Sequence, residues 1–298
     1  MTLRERLAEA RARLVAAGIA QTEASVDVDV YVRTILGWDR TRLLAEQSRP
    51  IPAELEPTFS NWITRREHHE PTAYIVGVRE FWGLDFLVTP AVLIPRPETE
   101  FIVEEALSIL SSGDLKVSGY RTSENHRTSE NLRIADIGTG SGCVAVTLAH
   151  ERPGCRIVAS DVSAAALDIA RANAIRHGVA DRIEFVVTSY LHGIPGMFDA
   201  ITANPPYVKD GDKAALSPDV RHEPDVALFG GTAGLRDIGG VLEAAVATLM
   251  PGGWLFMEFG FGQEDDVTAM VAMRPALRLR RVRSDLQGIP RTAIIQRE

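Results

Sequence analysis

The sequence predicts an α/β protein in which a mostly parallel sheet, covered by helices on both faces, follows a small helical module. Three observations carry that expectation. From residue 132 onward, short apolar runs alternate with segments of helical spacing, the pattern of strand–helix–strand units. One of those strands leads directly into a turn with glycine at every second position, Gly138, Gly140 and Gly142, and then into a helix. Residues 1–70, by contrast, read as helices alone.

Taken in order, Thr2 and Glu5 make a capping-box start. Leu3, Leu7, Ala10 and Leu14 recur along one helix face, and Gly18 supplies the stop. A second helix is expected over 22–36, ended by Gly37. Shorter helical stretches follow Thr41 and Ala53, and Pro71 closes the last. Segments 73–77 and 80–88 then read as two strands of a hairpin. Pro90, Pro95 and Pro97 bound an extended stretch. Pro97 suits the first turn of a helix, with Glu98 and Glu100 near its positive end. Residues 111–131 are polar and carry Arg-Thr-Ser-Glu-Asn twice, at 121–125 and 127–131, which reads as a solvated surface insertion. Strands are expected at 132–137, 156–160, 183–188, 198–203 and 253–259. Helices are expected from the glycine turn to His150, over 163–177 and over 236–249. The last two strands, 277–282 and 292–296, are joined through Gly288 and Pro290 and should pair antiparallel.

Composition narrows the function classes. The chain is 45% hydrophobic and 24% charged, as in an ordinary globular protein. No apolar run approaches the roughly 20 residues of a membrane span, and the start, Met1 to Glu5, lacks an apolar signal core. A cytoplasmic protein without membrane contact is therefore expected. Two cysteines, Cys143 and Cys155, exclude a disulfide framework and a four-cysteine metal site. The seven histidines lack ligand spacing apart from His68-His69, so no metal is expected. A net charge of −8 weighs against a chain that grips nucleic acid through its phosphates.

The chemistry is expected at two turns. Glycines at the end of strand 132–137 let a ligand approach the backbone, and the helix that follows presents its N-terminus. A dinucleotide fingerprint would need a third glycine at position 143, where Cys143 stands, so that template fails. The spacing of Gly138, Thr139, Gly140, Ser141 and Gly142, preceded by Asp136, instead resembles the S-adenosylmethionine loop of Rossmann-like methyltransferases. Asp161 ends the next strand, about 20 residues on, where a carboxylate can accept both ribose hydroxyls. Its alternative role is to cap the next helix, a task Ser163 can perform itself.

The second turn is Asn204-Pro205-Pro206-Tyr207, at the end of the apolar strand 198–203. The prolines stiffen it and leave carbonyls free, since neither has an N–H. The Asn204 side chain and the Pro205 carbonyl can accept both hydrogens of a planar NH2 group, and Tyr207 offers an aromatic face. An amide nitrogen is a poor nucleophile because its lone pair is delocalised. Fixed acceptors on its two hydrogens orient that lone pair and favour the electron-rich transition state.

With these residues in view, the chain resembles the PrmC/HemK family, the release factor glutamine methyltransferases. The matching segments are Pro71 to Gly77, Phe81 to Phe86, Leu93 to Glu100, Asp136 to Cys143, Asn204 to Tyr207, His222 to Pro224, Gly260 to Gln263 and Asp285 to Arg291. The resemblance implies an N-terminal helical substrate-recognition domain over 1–70, a β-hairpin linker over 71–96 and a seven-stranded, Rossmann-like methyltransferase domain over 97–298. It implies S-adenosylmethionine as cofactor, held by Gly138 to Gly142 and Asp161, with Tyr190 beside the adenine. It implies a monomer that places a methyl group on the glutamine of the Gly-Gly-Gln loop of class I peptide chain release factors, the glutamine held by Asn204 to Tyr207. Two positions depart from the family pattern: Ser189 stands where an acid often precedes the aromatic, and Ala203 replaces a small polar residue.

Two other classes stay open on the residues alone. The Asn-Pro-Pro-Tyr turn is shared with adenine-N6 methyltransferases of nucleic acid, and a relative acting on a ribosomal protein would carry the same turn. A non-catalytic cofactor-fold protein is opposed by the intact turn, Asp161 and Asn204. Glu223 can line the site, Trp82 and Phe81 read as linker core, and Arg278, Arg280, Arg281 and Arg283 read as a solvated strand face.

Overall fold

The computed structural model describes residues 1–111 and 131–298. Apart from its two end residues, the expected surface insertion lies outside the described residues. The chain forms two compact units, one of residues 1–78 with 217–222 and the other of 79–216 with 223–298.

The first unit is helical, with α1 (Leu3–Ala16), α2 (Gln21–Leu36), α3 (Arg40–Glu46), α4 (Thr58–Glu67) and α5 (Thr72–Val76). Thr2 and Glu5 complete the capping box expected of them, and Gly37 ends α2 in the left-handed conformation. Leu3, Leu7, Leu14, Val28, Tyr31 and Phe59 share one apolar core. Arg66 is 1% exposed within it. A buried guanidinium is tolerable only when paired, and three carboxylates surround this one: Asp27 at 2.7 Å, Glu23 at 2.6 Å and Asp219 at 2.8 Å. Asp219 comes from the distant 217–222 stretch, whose His222 also reaches the carbonyl of His68 at 3.1 Å.

Two expectations are corrected here. Residues 80–88 are not one strand, because the chain turns at Trp82 and Gly83, both at positive φ, and the two strands of the hairpin lie on either side of that turn. Residues 73–77 do not form a strand; α5 occupies them, between Pro71 as its N-cap and Gly77 as its left-handed C-cap. Tyr74 and Ile75 are buried side by side, where a strand would send them to opposite faces. A short apolar run does not distinguish the two states by periodicity, and the bracketing Pro and Gly decide it.

The second unit opens with the hairpin, β1 (Val78–Phe81) and β2 (Leu84–Leu87), turned by Trp82 and Gly83, both at positive φ. Phe81 and Phe86 meet edge to face, their centroids 6.0 Å apart. Then follow α6 (Glu100–Ser111), β3 (Arg133–Ile137), α7 (Cys143–Glu151), β4 (Arg156–Asp161), α8 (Ala164–Arg176), β5 (Ile183–Val187), β6 (Phe198–Ala203), α9 (Asp225–Leu228), α10 (Arg236–Thr248), β7 (Leu249–Glu258), α11 (Glu264–Ala272), β8 (Leu277–Ser284) and β9 (Pro290–Arg297). The seven-stranded sheet has the order β5-β4-β3-β6-β7-β9-β8. Its first five strands are parallel, and β9 runs antiparallel to both β7 and β8. Residues of α6, α7 and α8 cover one face, and α10 and α11 cover the other. Apolar runs such as Ile134-Ala135 and the wholly buried β6 are what a strand covered on both faces requires.

Helix α11 has no counterpart among the expected elements. Its first turn is Glu264-Asp265-Asp266, which reads as loop, yet Val267 and Val271 bury one face. The basic run on β8 is engaged by acids: Arg278 with Glu298, Arg281 with Glu105, and Arg283 with Glu104. No helix among the described residues is long and apolar enough to cross a membrane.

The sheet order fixes where a ligand can enter. Strand β3 has β4 on one side and β6 on the other, so the connections leaving its end diverge. A crevice opens there, at the carboxyl ends of the strands.

Candidate active site

A cavity of about 330 Å³ lies at that crevice, walled by residues that follow β3, β4, β5 and β6 and by the 91–99 segment. Nine of the eleven residues singled out in the sequence line it: Gly138, Thr139, Gly140, Ser141, Asp161, Tyr190, Asn204, Pro205 and Pro206. Gly142 and Tyr207 do not line it, so the aromatic face expected of Tyr207 is not among the cavity walls.

The glycine turn owes its shape to backbone that side chains disfavour. Gly138, Gly140 and Gly142 have φ of 68°, 55° and 80°, all in the left-handed region. At Gly142 a Cβ would also meet the Cβ of Ala170 at 3.0 Å, so this glycine sets the approach of α7 to α8. Beneath the turn, Asp136 is 3% exposed and accepts from Thr139 Oγ1 at 2.6 Å and Thr202 Oγ1 at 2.7 Å. Burial pushes its carboxyl up to about 6, against the pull of those two hydroxyls. Burial pushes the Cys143 thiol up to about 12, which disfavours its thiolate.

Asp161 closes the turn from the side. Its Oδ2 accepts the Gly140 N–H and its Oδ1 the Ser163 N–H, each at 2.9 Å. Ser163, not Asp161, caps α8, accepting from Ala166 N at 3.2 Å. Each carboxylate oxygen keeps lone-pair capacity, and the residue lines the cavity. Burial raises its pKa, while the backbone amides hold it down.

Tyr190 sits at φ 54°, uncommon for a residue with a side chain. Its hydroxyl donates to Asp237 Oδ1 at 3.0 Å, and burial pushes it up to about 12. The ring lies over Gly240, where a Cβ would fall 2.0 Å from Tyr190 Cζ.

The Asn204–Tyr207 turn is gripped from behind by three glycines. A Cβ on Gly230 would lie 2.3 Å from the Pro206 carbonyl oxygen, one on Gly234 2.2 Å from that of Tyr207, and one on Gly260 2.9 Å from the Tyr207 ring. Gln263 completes the clamp, donating Nε2 to the Tyr207 carbonyl at 3.1 Å and accepting the Gly260 N–H at 2.8 Å. Asn204 Nδ2 donates to Thr99 Oγ1 at 3.0 Å, leaving Oδ1 as the end of the amide available to a ligand. Tyr207 turns its hydroxyl onto Glu258 Oε1 at 3.2 Å, and the negative Glu258 is the main reason its pKa is raised.

Several of these residues lay outside the sequence expectation: Glu258, Asp237, Gly230, Gly234 and Gly240. Glu258 did carry a signal, a carboxylate ending a buried strand just as Asp161 does. Glu223 is buried and turned to the 94–96 stretch, where it accepts from Ile94 N at 3.2 Å and pairs with Arg96 at 2.5 Å. It does not line the cavity.

Known proteins resemble this chain in both sequence and fold. Residues 5–77 match the model of the PrmC N-terminal domain, and residues 123–221 match that of the methyltransferase small domain. A release factor glutamine methyltransferase of Bradyrhizobium diazoefficiens is 38% identical over 90% of this chain and 86% of its own. One of Moorella thermoacetica is 37% identical over 100% of this chain and 99% of its own. Among solved structures, a methyltransferase from Pyrococcus furiosus matches with a TM-score of 0.50 and 19% identity, covering 80% of this chain and 98% of that one.

Proposed function

The chain belongs to the release factor glutamine methyltransferase family, and from that premise we propose that it methylates the side-chain amide nitrogen of a glutamine in a class I peptide chain release factor. The methyl donor is S-adenosylmethionine, which when bound supplies an electrophilic methyl group on a positively charged sulfur.

The residues present fit such a donor. Asp161 brings a cavity-facing carboxylate with spare lone pairs to receive ribose hydroxyls. Gly138 and Gly140 put no side chain between the cavity and their own backbone. Tyr190 offers its ring to the adenine, with Ser189 beside it where an acid was expected. The observation that carries the acceptor side is the Asn204 amide. Its nitrogen is committed to Thr99, which leaves its oxygen as the free end of the amide, and the carbonyl of the next residue, Pro205, has no hydrogen-bond partner among the described residues. Two acceptors from consecutive residues of the cavity wall can take the two hydrogens of a primary amide, hold its plane and aim its lone pair. In this reading residues 1–70 receive the body of the factor, 71–96 connect, and 97–298 carry out the transfer on the Gly-Gly-Gln loop.

Incubation with an intact release factor should add the mass of one methyl group to that glutamine, while the isolated loop peptide reacts much more weakly. Transfer to adenine in DNA, with none to the factor, would overturn the assignment. A second expected result concerns Gly240→Ala. The new Cβ cannot coexist with the Tyr190 ring, and overpacking of this kind costs about 1–3 kcal/mol. S-adenosylmethionine affinity should therefore fall by about tenfold in calorimetry. Unchanged affinity in the folded variant would take Tyr190 out of the donor site.

A further inference from the structure

Behind Asn204 a line of side chains runs into the protein. Asn204 Nδ2 donates to Thr99 Oγ1 at 3.0 Å, Thr99 Oγ1 donates to Glu258 Oε2 at 2.7 Å, and Tyr207 donates to Glu258 Oε1 at 3.2 Å. Thr99 and Glu258 are 3% and 2% exposed, so bulk water does not stand in for a missing partner. An asparagine amide has a donor end and an acceptor end of nearly equal size, and its own shape does not decide which faces the cavity. The hydrogen bonds behind it decide. A threonine hydroxyl has one hydrogen. Glu258 as a carboxylate only accepts and takes that hydrogen, which leaves Thr99 nothing but lone pairs for Asn204. The amide must then turn its nitrogen inward and its oxygen out.

Resting on the reading that the methyl acceptor is a planar amide, we propose that Glu258 and Thr99 are positioning residues: the carboxylate, relayed through the threonine hydroxyl, fixes the Asn204 oxygen toward the substrate. A proton taken from solvent onto Oε2 lifts the constraint. Glu258 then donates to Thr99, the Thr99 hydrogen is released toward Asn204, and the amide turns over. Its NH2 would meet the substrate NH2 donor to donor.

The surroundings put this switch in the neutral range. Burial pushes Glu258 up to about 7, helped by Glu98, and opposed by the Thr99 and Tyr207 hydroxyls and by Arg291. Arg96 acts on the same cluster through Tyr207, the Cys143 thiol at the start of α7 feels the charge of Glu258, and Thr292 is its backbone partner on β9. The active form is the carboxylate, so activity should rise with pH.

The test uses the full-length enzyme and an intact release factor. Turnover should climb through a pH of about 7 to a plateau. Thr99→Val and Glu258→Gln should each lower the plateau kcat by about tenfold, keep S-adenosylmethionine affinity within a few-fold, and abolish the step. Thr99→Ser should restore both. Without any protein substrate, the side-chain amide resonances of Asn204, assigned by their loss in Asn204→Ala, should shift with the same midpoint. Resonances that stay fixed between about pH 5.5 and about 8.5, or a Thr99→Val enzyme that keeps the wild-type kcat and step, overturn the proposal. A wild-type enzyme that methylates no release factor at any pH would sink the substrate reading instead, and the resonance titration would still decide the relay.

Discussion

Replacing Asn204 with alanine should slow methyl transfer by about 10²–10³, because one preorganised acceptor at the reacting nitrogen is lost and the transition state loses most from it. Affinity for S-adenosylmethionine should stay within a few-fold. The side chain is tied to Thr99 and lines the cavity, yet no hydrogen bond from it supports the glycine turn or Asp161. Turnover under saturating donor and factor, set beside calorimetric binding of the donor, separates the two effects. If rate and affinity fell together, Asn204 would be part of the donor site or of the scaffold. Asparagine cannot be exchanged for aspartate either. A carboxylate in its place would face the Thr99 lone pairs and disturb the relay to Glu258.

Asp161→Ala should do the opposite, weakening S-adenosylmethionine binding by about ten- to a hundredfold, the worth of charged hydrogen bonds of about 1.5–3 kcal/mol. The structure adds a second route to the same loss. Asp161 also accepts the Gly140 and Ser163 amides at 2.9 Å, so its removal frees the apex of the glycine turn as well as the ribose. Asp161→Asn retains one oxygen for those amides and should lie between alanine and wild type. Calorimetry on the three proteins, each checked for folding by circular dichroism, tests the ordering. An alanine variant that binds as tightly as wild type would remove Asp161 from the site.

Much of this site was legible in the sequence because its signals are local. Gly138, Gly140 and Gly142 form a turn within five residues, and Asp161 ends the very next strand. What was not legible depends on residues far apart. Thr99 and Glu258 are 159 positions apart, and only the placing of β7 beside β6, with α6 across one face, brings them together. Thr99 lies inside the Leu93 to Glu100 segment that carries part of the resemblance, but a motif names residues without naming their partners. Gly230, Gly234 and Gly240 left no trace for a different reason. What is required there is the absence of a side chain against a distant backbone or ring, and no pattern of polarity encodes absence. The strand expected at 73–77 failed where an apolar run is short enough to suit either helix or strand.

The stretch 217–222 changes how the helical unit can be probed. It is covalently continuous with the methyltransferase unit on both sides, yet its Asp219 neutralises Arg66 and its His222 bonds to His68. The helical unit is therefore discontinuous in sequence, and no single cut excises it. Removing residues 1–70 would strand an acid and a histidine whose counterparts had gone, immediately before Glu223, the residue that braces the 94–96 segment of the cavity wall. Such a truncation would therefore leave a fragment of the helical unit, residues 217–222, behind without its partners. Charge reversals on the exposed helical surface, which leave Arg66 in place, are the sharper instrument for testing the proposed role of this unit in receiving the protein substrate.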